Sequence, residues 1–474
     1  MLIEFTVGNF LSFKEPQTFS MVGTKAMTNH EGQENELANI FYSPKQIKLL
    51  KSSIFYGANN SGKSNLIKAL GFFRNFIIGS YNEQKPEEDI KGIVPFLLST
   101  ETEAAPSFFE MIFVVENIQY RYGFEVDREK IYKEWLYSSM KRTETPLFTR
   151  TIESGVEDKA KGEFKNKDFQ KAINKRPNSL FLSALAQFGG EVALKIQTWF
   201  LKSITIINTY NENSLEKIGQ VTIHKFLHES KFREQLTHFF QSIKIGFSTI
   251  DIQEENKNVL VKNENDLLEN LLASKFPKDL VEEFKGALDS LKQVQDKMQS
   301  LGKEKREKKT VAIKLTHNKL DKVNTQIDEA ILGFVTQSIG TQKLFSLFGI
   351  WIECIEKGKI LIVDELDSSL HTLLTQELIK LFHTKTNQQG QLICAVHDTN
   401  LLKGQIFRRD QVWFAEKNNE TGATDLYSLV EFKDALSSSP TVSFEEGYLE
   451  GRYGAIPYLG DIQKFLNDFI YAEE

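Results

Sequence analysis

The segment that most restricts what this chain can fold into is Gly57-Ala58-Asn59-Asn60-Ser61-Gly62-Lys63-Ser64, set between an apolar run, Leu49 to Tyr56, and a helical pattern carrying Leu66, Ile67 and Leu70. Its spacing is G-x-x-x-x-G-K-[ST], in the order strand, glycine loop, helix. The glycines let the backbone curl until successive N–H groups point inward, and the N-terminus of the following helix adds partial positive charge. Such a cradle suits phosphate oxygens. Lys63 is expected on the β and γ phosphates of ATP, and Ser64 on a Mg²⁺ ion that bridges them, with Gly57 through Asn65 lining the nucleotide.

A second set of residues supplies what a phosphate cradle alone lacks. Ile360 to Val363 is a continuous apolar run, as in a strand buried on both faces, and Leu392 to Val396 is another; between them Leu370 to Phe382 carries an amphipathic helical pattern. Alternation of this kind implies a parallel α/β sheet. Asp364 and Glu365 therefore emerge at the carboxyl edge of that sheet, where ligands of such sheets bind. An acidic pair after a strand is, on its own, commonly a helix cap. Coupled to the glycine loop, Asp364 reads as the Mg²⁺ ligand and Glu365 as the carboxylate that polarises attacking water. His397 ends the next strand, where it can donate to a γ-phosphate, although a strand-terminal His taken alone is more often structural. Ser338-Ile339-Gly340-Thr341-Gln342 precedes a helical run, and Ser and Gly at a helix N-terminus make an anion site.

The rest of the chain is divided by texture. Residues 1–149 and 309–474 show strand and helix patterns. Residues 150–308 are polar and Lys/Glu-rich, and read as a mainly helical insertion that could serve dimerisation or a partner. In it Ala287, Leu291, Val294, Met298 and Leu301 mark a coiled-coil-like seam too short for a long arm. Lys303 to Lys314 is a basic cluster, more often a solvated face than a nucleic-acid contact. A net charge of −6 gives no global attraction to nucleic acid. Cys354 and Cys394 lie in apolar stretches and suit buried thiols better than a disulfide or zinc site. The chain opens without a leader-like segment, and no run approaches about 18 apolar residues, so a cytoplasmic protein with no membrane contact is expected.

Taken together, Phe5-Thr6-Val7-Gly8-Asn9-Phe10-Leu11-Ser12-Phe13, the glycine loop, Ser338 to Gln342, Asp364-Glu365, Ser369-Leu370-His371 and His397 resemble, in the same order, the SMC, RecF and OLD group of ABC ATPases. More narrowly, Gln411-Val412-Trp413-Phe414, Leu426-Tyr427-Ser428-Leu429 and Tyr448-Leu449-Glu450-Gly451-Arg452-Tyr453-Gly454-Ala455-Ile456-Pro457 resemble the AbiL and RloA type of bacterial ATPases, which are linked to abortive infection. The resemblance implies an ABC-type P-loop head with a mixed sheet, split by the insertion. It also implies a homodimer, open to higher assembly, that sandwiches ATP. In it Ser338, Gly340 and Thr341 form a signature loop acting on the partner's nucleotide, and Asp367 and Ser369 line the seam. The signature departs from the family's Ser-Gly-Gly-Gln. Only residues 398–474 come after His397, too few for the nuclease domain of OLD-type relatives, so an effector, a nuclease or toxin, is expected on a separate and neighbouring gene's product, with a phage-encoded trigger. Three readings remain: an ATP-driven sensor or scaffold subunit of a phage-defence system, a RecF-like DNA-maintenance ATPase supported by Lys303 to Lys314, and an ATP-binding scaffold with little turnover.

Overall fold

Three short runs buried at every residue organise the computed structural model, which describes residues 1–24, 38–83, 85–140, 143–153, 155–156, 160–209, 212–255, 310–322, 325–403, 406–432 and 443–457. The chain divides into two units, Met1–Thr222 with Lys343–Glu474, and Ile223–Gln342. In chain order the first unit contains β1 (Leu2–Gly8), β2 (Gln17–Ser20), β3 (Ile40–Tyr42), β4 (Lys48–Leu50), β5 (Ser52–Tyr56), β6 (Ser107–Val115), β7 (Ile118–Val126), β8 (Ile131–Ser139), β9 (Thr145–Thr151), β10 (Gly155–Val156) and β11 (Ile204–Asn208). The second contains β12 (Thr249–Glu255), β13 (Thr310–Leu320) and β14 (Gln326–Gly333). The first then resumes with β15 (Ile360–Asp364), β16 (Gln391–Ala395), β17 (Val412–Lys417) and β18 (Thr424–Ser428).

β5, β15 and β16 are the fully buried runs. Covered on both faces, they sit inside a six-stranded sheet of order β11-β15-β16-β5-β17-β18, parallel except for the terminal β17–β18 hairpin. A seven-stranded antiparallel sheet, β10-β9-β8-β7-β6-β1-β2, uses strands such as β6 whose burial alternates. The mixed α/β architecture expected from the sequence is thus realised in the first unit as two large sheets, with β3 and β4 paired separately.

The helix Lys63–Gly79 packs against strands of both, touching β1, β11 and β15. Phe73 is its anchor, stacked on Phe124 of β7 at 5.2 Å and meeting Phe5 of β1 and Phe200 edge-on at 5.5 and 5.7 Å. Offset and edge-on ring pairs are the favoured aromatic geometries. Buried polar side chains complete the union. The Gln391 side chain accepts from the Leu2 N–H at 2.7 Å and donates to the Leu2 carbonyl at 2.9 Å, fastening β16 to β1. Arg74 donates to the carbonyls of Phe200, Leu201 and Ile204, closing the end of the helix Glu191–Ser203.

The composition shifts predict boundaries at 149/150 and 308/309, whereas the two units divide at 222/223 and 342/343. Residues 150–222 carry β11, a parallel neighbour of β15, and the helix Phe181–Gln187, six of whose seven residues are buried. The ion pair that holds this segment is itself buried. Glu134 of β8 and Arg150 of β9 meet at 3.3 Å with side chains 0% and 4% exposed. Glu134 also accepts from the Tyr122 hydroxyl and from the N–H groups of Phe181 and Leu182 at the start of that helix.

In the second unit, the helix Ser230–Ser242 accompanies a three-stranded antiparallel sheet, β12-β13-β14. Among the unit's described residues, Phe226, Phe232, Leu236, Phe240, Phe247, Ile250, Ile252 and Leu315 are the buried apolar ones. The insertion expected to be mainly helical therefore contains a sheet. Its signal is present in the alternation of Ile250 and Ile252 and of Val311, Ile313 and Leu315, but the Lys/Glu-rich surroundings obscure it. The heptad seam Ala287 to Leu301 and the basic residues Lys303 to Lys309 lie outside the described residues. Among the described residues no helix is long and apolar enough to cross a membrane.

Glu134→Ala leaves the Arg150 guanidinium buried without its carboxylate and strips the acceptor from two helix N–H groups. Loss of one partner of a buried pair costs about 3–5 kcal/mol. Denaturant titration is expected to show the first unit melting at a clearly lower midpoint; an unchanged midpoint contradicts the clamp.

Candidate functional site

Parallel pairing aligns the ends of β5, β16, β15 and β11 at one edge: Cys394 is in register with Ile54 and Val363, and Asn208 with Asp364. The residues next in sequence after each strand are therefore delivered to the same place. After β5 comes the loop Gly57–Gly62 and the helix it starts; after β15 come Glu365 to Ser369; after β16 comes His397; after β11 comes Thr209.

The loop has no room for side chains at its glycines. Gly57 has φ 155, and a Cβ there would lie 2.3 Å from the Ala415 carbonyl oxygen. Gly62 has φ 111, and its Cβ would lie 2.5 Å from Thr424 Oγ1. Thr424 of β18 donates to the Ser61 carbonyl at 2.8 Å, its own N–H donates to the Ser12 carbonyl at 2.7 Å, and Asn65 donates to Ser12 Oγ at 2.8 Å. The loop is thus braced from two sides by Ser12 and Thr424. Ala58, Asn59 and Asn60 form its outer turn, with Asn60 at φ 66. Ser61 Oγ is buried and has no hydrogen-bond partner, an orphan polar atom within the loop.

Lys63, 6% exposed, donates to the carbonyls of Gly57 at 2.6 Å and Ala58 at 3.1 Å. Burial pulls its ammonium down to about 8, against the opposing pull of Asp364, Asp367 and Glu365. Ser64 donates to Asp364 Oδ1 at 3.1 Å. Burial raises the Asp364 carboxyl above its usual range, opposed by the Ser64 bond and by Lys68, Lys63 and His397. A hydroxyl beside a buried carboxylate is an oxygen donor pair of the kind Mg²⁺ takes, one or two protein oxygens with the remainder from phosphates and water. The glycine cradle, the orphan Ser61 hydroxyl, the Lys63 ammonium and this oxygen pair fit Mg-ATP.

Glu365 comes next in a left-handed backbone conformation, φ 54, as does Ser369 at φ 60. Conformations of this kind in non-glycine residues persist where their surroundings hold them. Thr209 Oγ1 donates to the carbonyl of Glu365 at 2.6 Å, and Lys343 donates to those of Glu365, Leu366 and Ser368 at 3.1, 2.9 and 2.7 Å. Asp367 Oδ2 accepts the N–H groups of His397 and Asp398 at 2.8 and 2.6 Å, so this carboxylate organises the segment after β16. The His397 side chain is exposed at the edge, and Ser369 is exposed as well.

The first unit therefore brings together Gly57 to Asn65, Asp364, Glu365, Asp367, Ser369 and His397. Ser338, Gly340 and Thr341 belong to the second unit. There Ser338 Oγ accepts the Thr341 N–H at 3.2 Å and pairs with its hydroxyl at 2.9 Å, capping the helix Ile339–Lys357. Four residues of the site are not singled out by the sequence: Ser12, Thr209, Lys343 and Thr424. Ser12 lies within the opening motif, and Thr209 comes after a β-branched run that reads as a strand. Lys343 adjoins the Ser338 to Gln342 segment, while nothing local marks Thr424.

The Tyr448 to Pro457 motif packs on the β17–β18 hairpin. Tyr448 and Tyr453 stack on Phe414 at 5.5 and 5.9 Å, Tyr427 donates to the Tyr453 carbonyl at 2.8 Å, and Tyr448 lies 5.6 Å from Tyr56 at the end of β5.

No curated protein matches the chain. Among solved structures it is similar to the SMC head domain from Thermotoga maritima, at 12% identity and TM-score 0.37 over 90% of this chain and 98% of that one. It is also similar to an Smc head bound to the C-terminal winged-helix domain of ScpA, at 11% identity and TM-score 0.41 over 90% and 97%. A third is an Smc head with an extended coiled coil bound to the C-terminal domain of ScpA derived from Pyrococcus furiosus, at 10% identity and TM-score 0.34 over 90% and 96%. A family model described as "AAA domain, putative AbiEii toxin, Type IV TA system" matches residues 52–403, from β5 through the segment after β16. A match of that extent covers most of the chain and every strand end that meets at the site, and the chain belongs to this family.

Proposed function

We propose that the chain binds Mg-ATP and hydrolyses it, two heads enclosing the nucleotides, as the sensor or scaffold subunit of a phage-defence system that controls a separate effector. The observation that carries the ATPase reading is the convergence of Lys63, Ser64, Asp364 and Glu365 at the ends of β5 and β15. Gly57 to Asn65 hold the phosphates through backbone N–H groups and the Lys63 ammonium, and Ser64 and Asp364 hold the metal. Held there, Mg²⁺ would supply positive charge to offset the negative charge of the phosphates. Glu365 orients and polarises the attacking water, and His397 donates to the γ-phosphate side of the site. Ser338, Gly340 and Thr341 act on the partner's nucleotide, with Asp367 and Ser369 along the seam. The defence role draws support from the family's description, which names a toxin of a type IV system. The narrower AbiL and RloA affinity rests on the Tyr448 to Pro457 motif.

Lys63→Ala is expected to lose ATP binding. Glu365→Gln keeps it, loses turnover by at least about 100-fold, and accumulates as an ATP-bound dimer by light scattering. Purified from its native locus, that trapped variant brings down a stoichiometric protein from the same neighbourhood. Recovery of DNA without such a protein would favour a DNA-maintenance ATPase, and full turnover in Glu365→Gln would refute the role given to that carboxylate.

The lowered Lys63 pKa, about 8, adds a pH signature. Above pH 8 the free amine is largely neutral, while polyphosphate favours the ammonium, so binding takes up a proton and weakens as pH rises. Calorimetry in buffers of different ionisation enthalpy is expected to show proton uptake at pH 9 and little at pH 7. Absence of uptake at pH 9 contradicts a lowered Lys63 pKa in the empty site.

A further inference from the structure

Lys343 is 1% exposed and lies in the first turns of the helix Ile339–Lys357, yet its ammonium is spent wholly on the turn after β15. It donates to three backbone carbonyls, those of Glu365, Leu366 and Ser368, and to the Ser368 hydroxyl at 2.9 Å. Three convergent carbonyls around one buried cation are a specific arrangement, since an ammonium has three N–H donors and no acceptor. The same turn contains two left-handed residues, Glu365 and Ser369. It also contains Asp367, whose carboxylate fixes the N–H groups of His397 and Asp398. Thr209 supports it from the other side, reaching the Asp364 and Glu365 carbonyls and the Ser368 hydroxyl.

We propose that Lys343 is a positioning residue for hydrolysis: it clamps the carbonyls of residues 365 to 368 so that the Glu365 carboxylate points at the water beside the nucleotide. This rests on the ATPase reading given above and adds a residue to it. The backbone at Glu365 is strained, and the charge of Lys343 offsets that strain where three carbonyl dipoles crowd together. Without the clamp the turn is free to relax toward an ordinary backbone conformation. The carboxylate then swings away while the glycine loop, Lys63 and Ser64, held by Ser12 and Thr424, keep their geometry. The effect therefore falls on the chemical step and spares nucleotide binding.

The test compares wild type, Lys343→Met, Ser368→Ala and each combined with Glu365→Gln, tracking phosphate release and ATP affinity. Lys343→Met keeps the length of the side chain without its charge, and Ser368→Ala removes only the hydroxyl shared by Lys343 and Thr209. Lys343→Met is expected to lower kcat by about 100-fold, the scale of a misplacement near 1 Å, with ATP affinity unchanged. Ser368→Ala moves kcat the same way by less. In the Glu365→Gln background neither substitution lowers the residual rate further, because the group they position is gone; a purely structural role would lower both backgrounds alike. If wild type releases no phosphate, it is the ATPase reading that fails. If wild type is active, equal kcat in Ser368→Ala, or additive losses with Glu365→Gln, overturns the role of Lys343, and this holds even if Lys343→Met does not fold.

Discussion

Parallel hydrogen-bond registration among β11, β15, β16 and β5 is the constraint on which the site depends. Because strands in a parallel sheet all end on the same side, the residues just beyond them meet without any being near another in the sequence. Ser64 and Asp364 are 300 residues apart in sequence, yet their side-chain oxygens are 3.1 Å apart. A slip of one residue in any of these pairings would exchange the side chains packed on the strand's two faces and carry its terminal side chain off the edge. Complete burial of β5, β15 and β16 makes such slips costly. The position of the chemistry is thus secured by the core.

The second requirement is that the sheets and their helices hold still, and buried polar groups do much of this. Gln391 fastens β16 to β1, Arg74 closes a helix end, and Glu134 with Arg150 seats the helix Phe181–Gln187. Each places its donors and acceptors against backbone groups that burial would otherwise leave unpaired. Nearer the edge, Thr424 and Ser12 brace the glycine loop, while Thr209 and Lys343 brace the turn after β15. The glycine loop and the turn that contains Glu365 consequently have separate supports. On the ATPase reading proposed above, that separation is what would let binding and turnover respond to different substitutions.

Much of this is legible in the sequence. Gly57 to Ser64, Asp364-Glu365 and His397 are local patterns at strand ends, and a continuous apolar run predicts a buried strand without knowledge of its neighbours. Lys343, Thr209 and Thr424 are not legible as parts of the site, because each acts on backbone carbonyls that leave no mark on residue type. Thr209 meets Asp364 across 155 residues and Thr424 meets Ser61 across 363. β11 is absorbed into the insertion by the polar composition around it, though Ile204 to Ile207 has the make-up of a strand. β12 and β13 are hidden in the same way.

The measurement that tests the central claim most directly is electron paramagnetic resonance of Mn²⁺ placed in the Mg²⁺ site. The oxygen pair of Ser64 and Asp364 predicts Mn²⁺ held tightly when ATP is present and weakly when it is absent. It also predicts that Asp364→Asn and Ser64→Ala each loosen the ATP-dependent signal. Mn²⁺ binding that ignores ATP, or that survives both substitutions unchanged, would contradict a Mg-ATP site at the ends of β5 and β15.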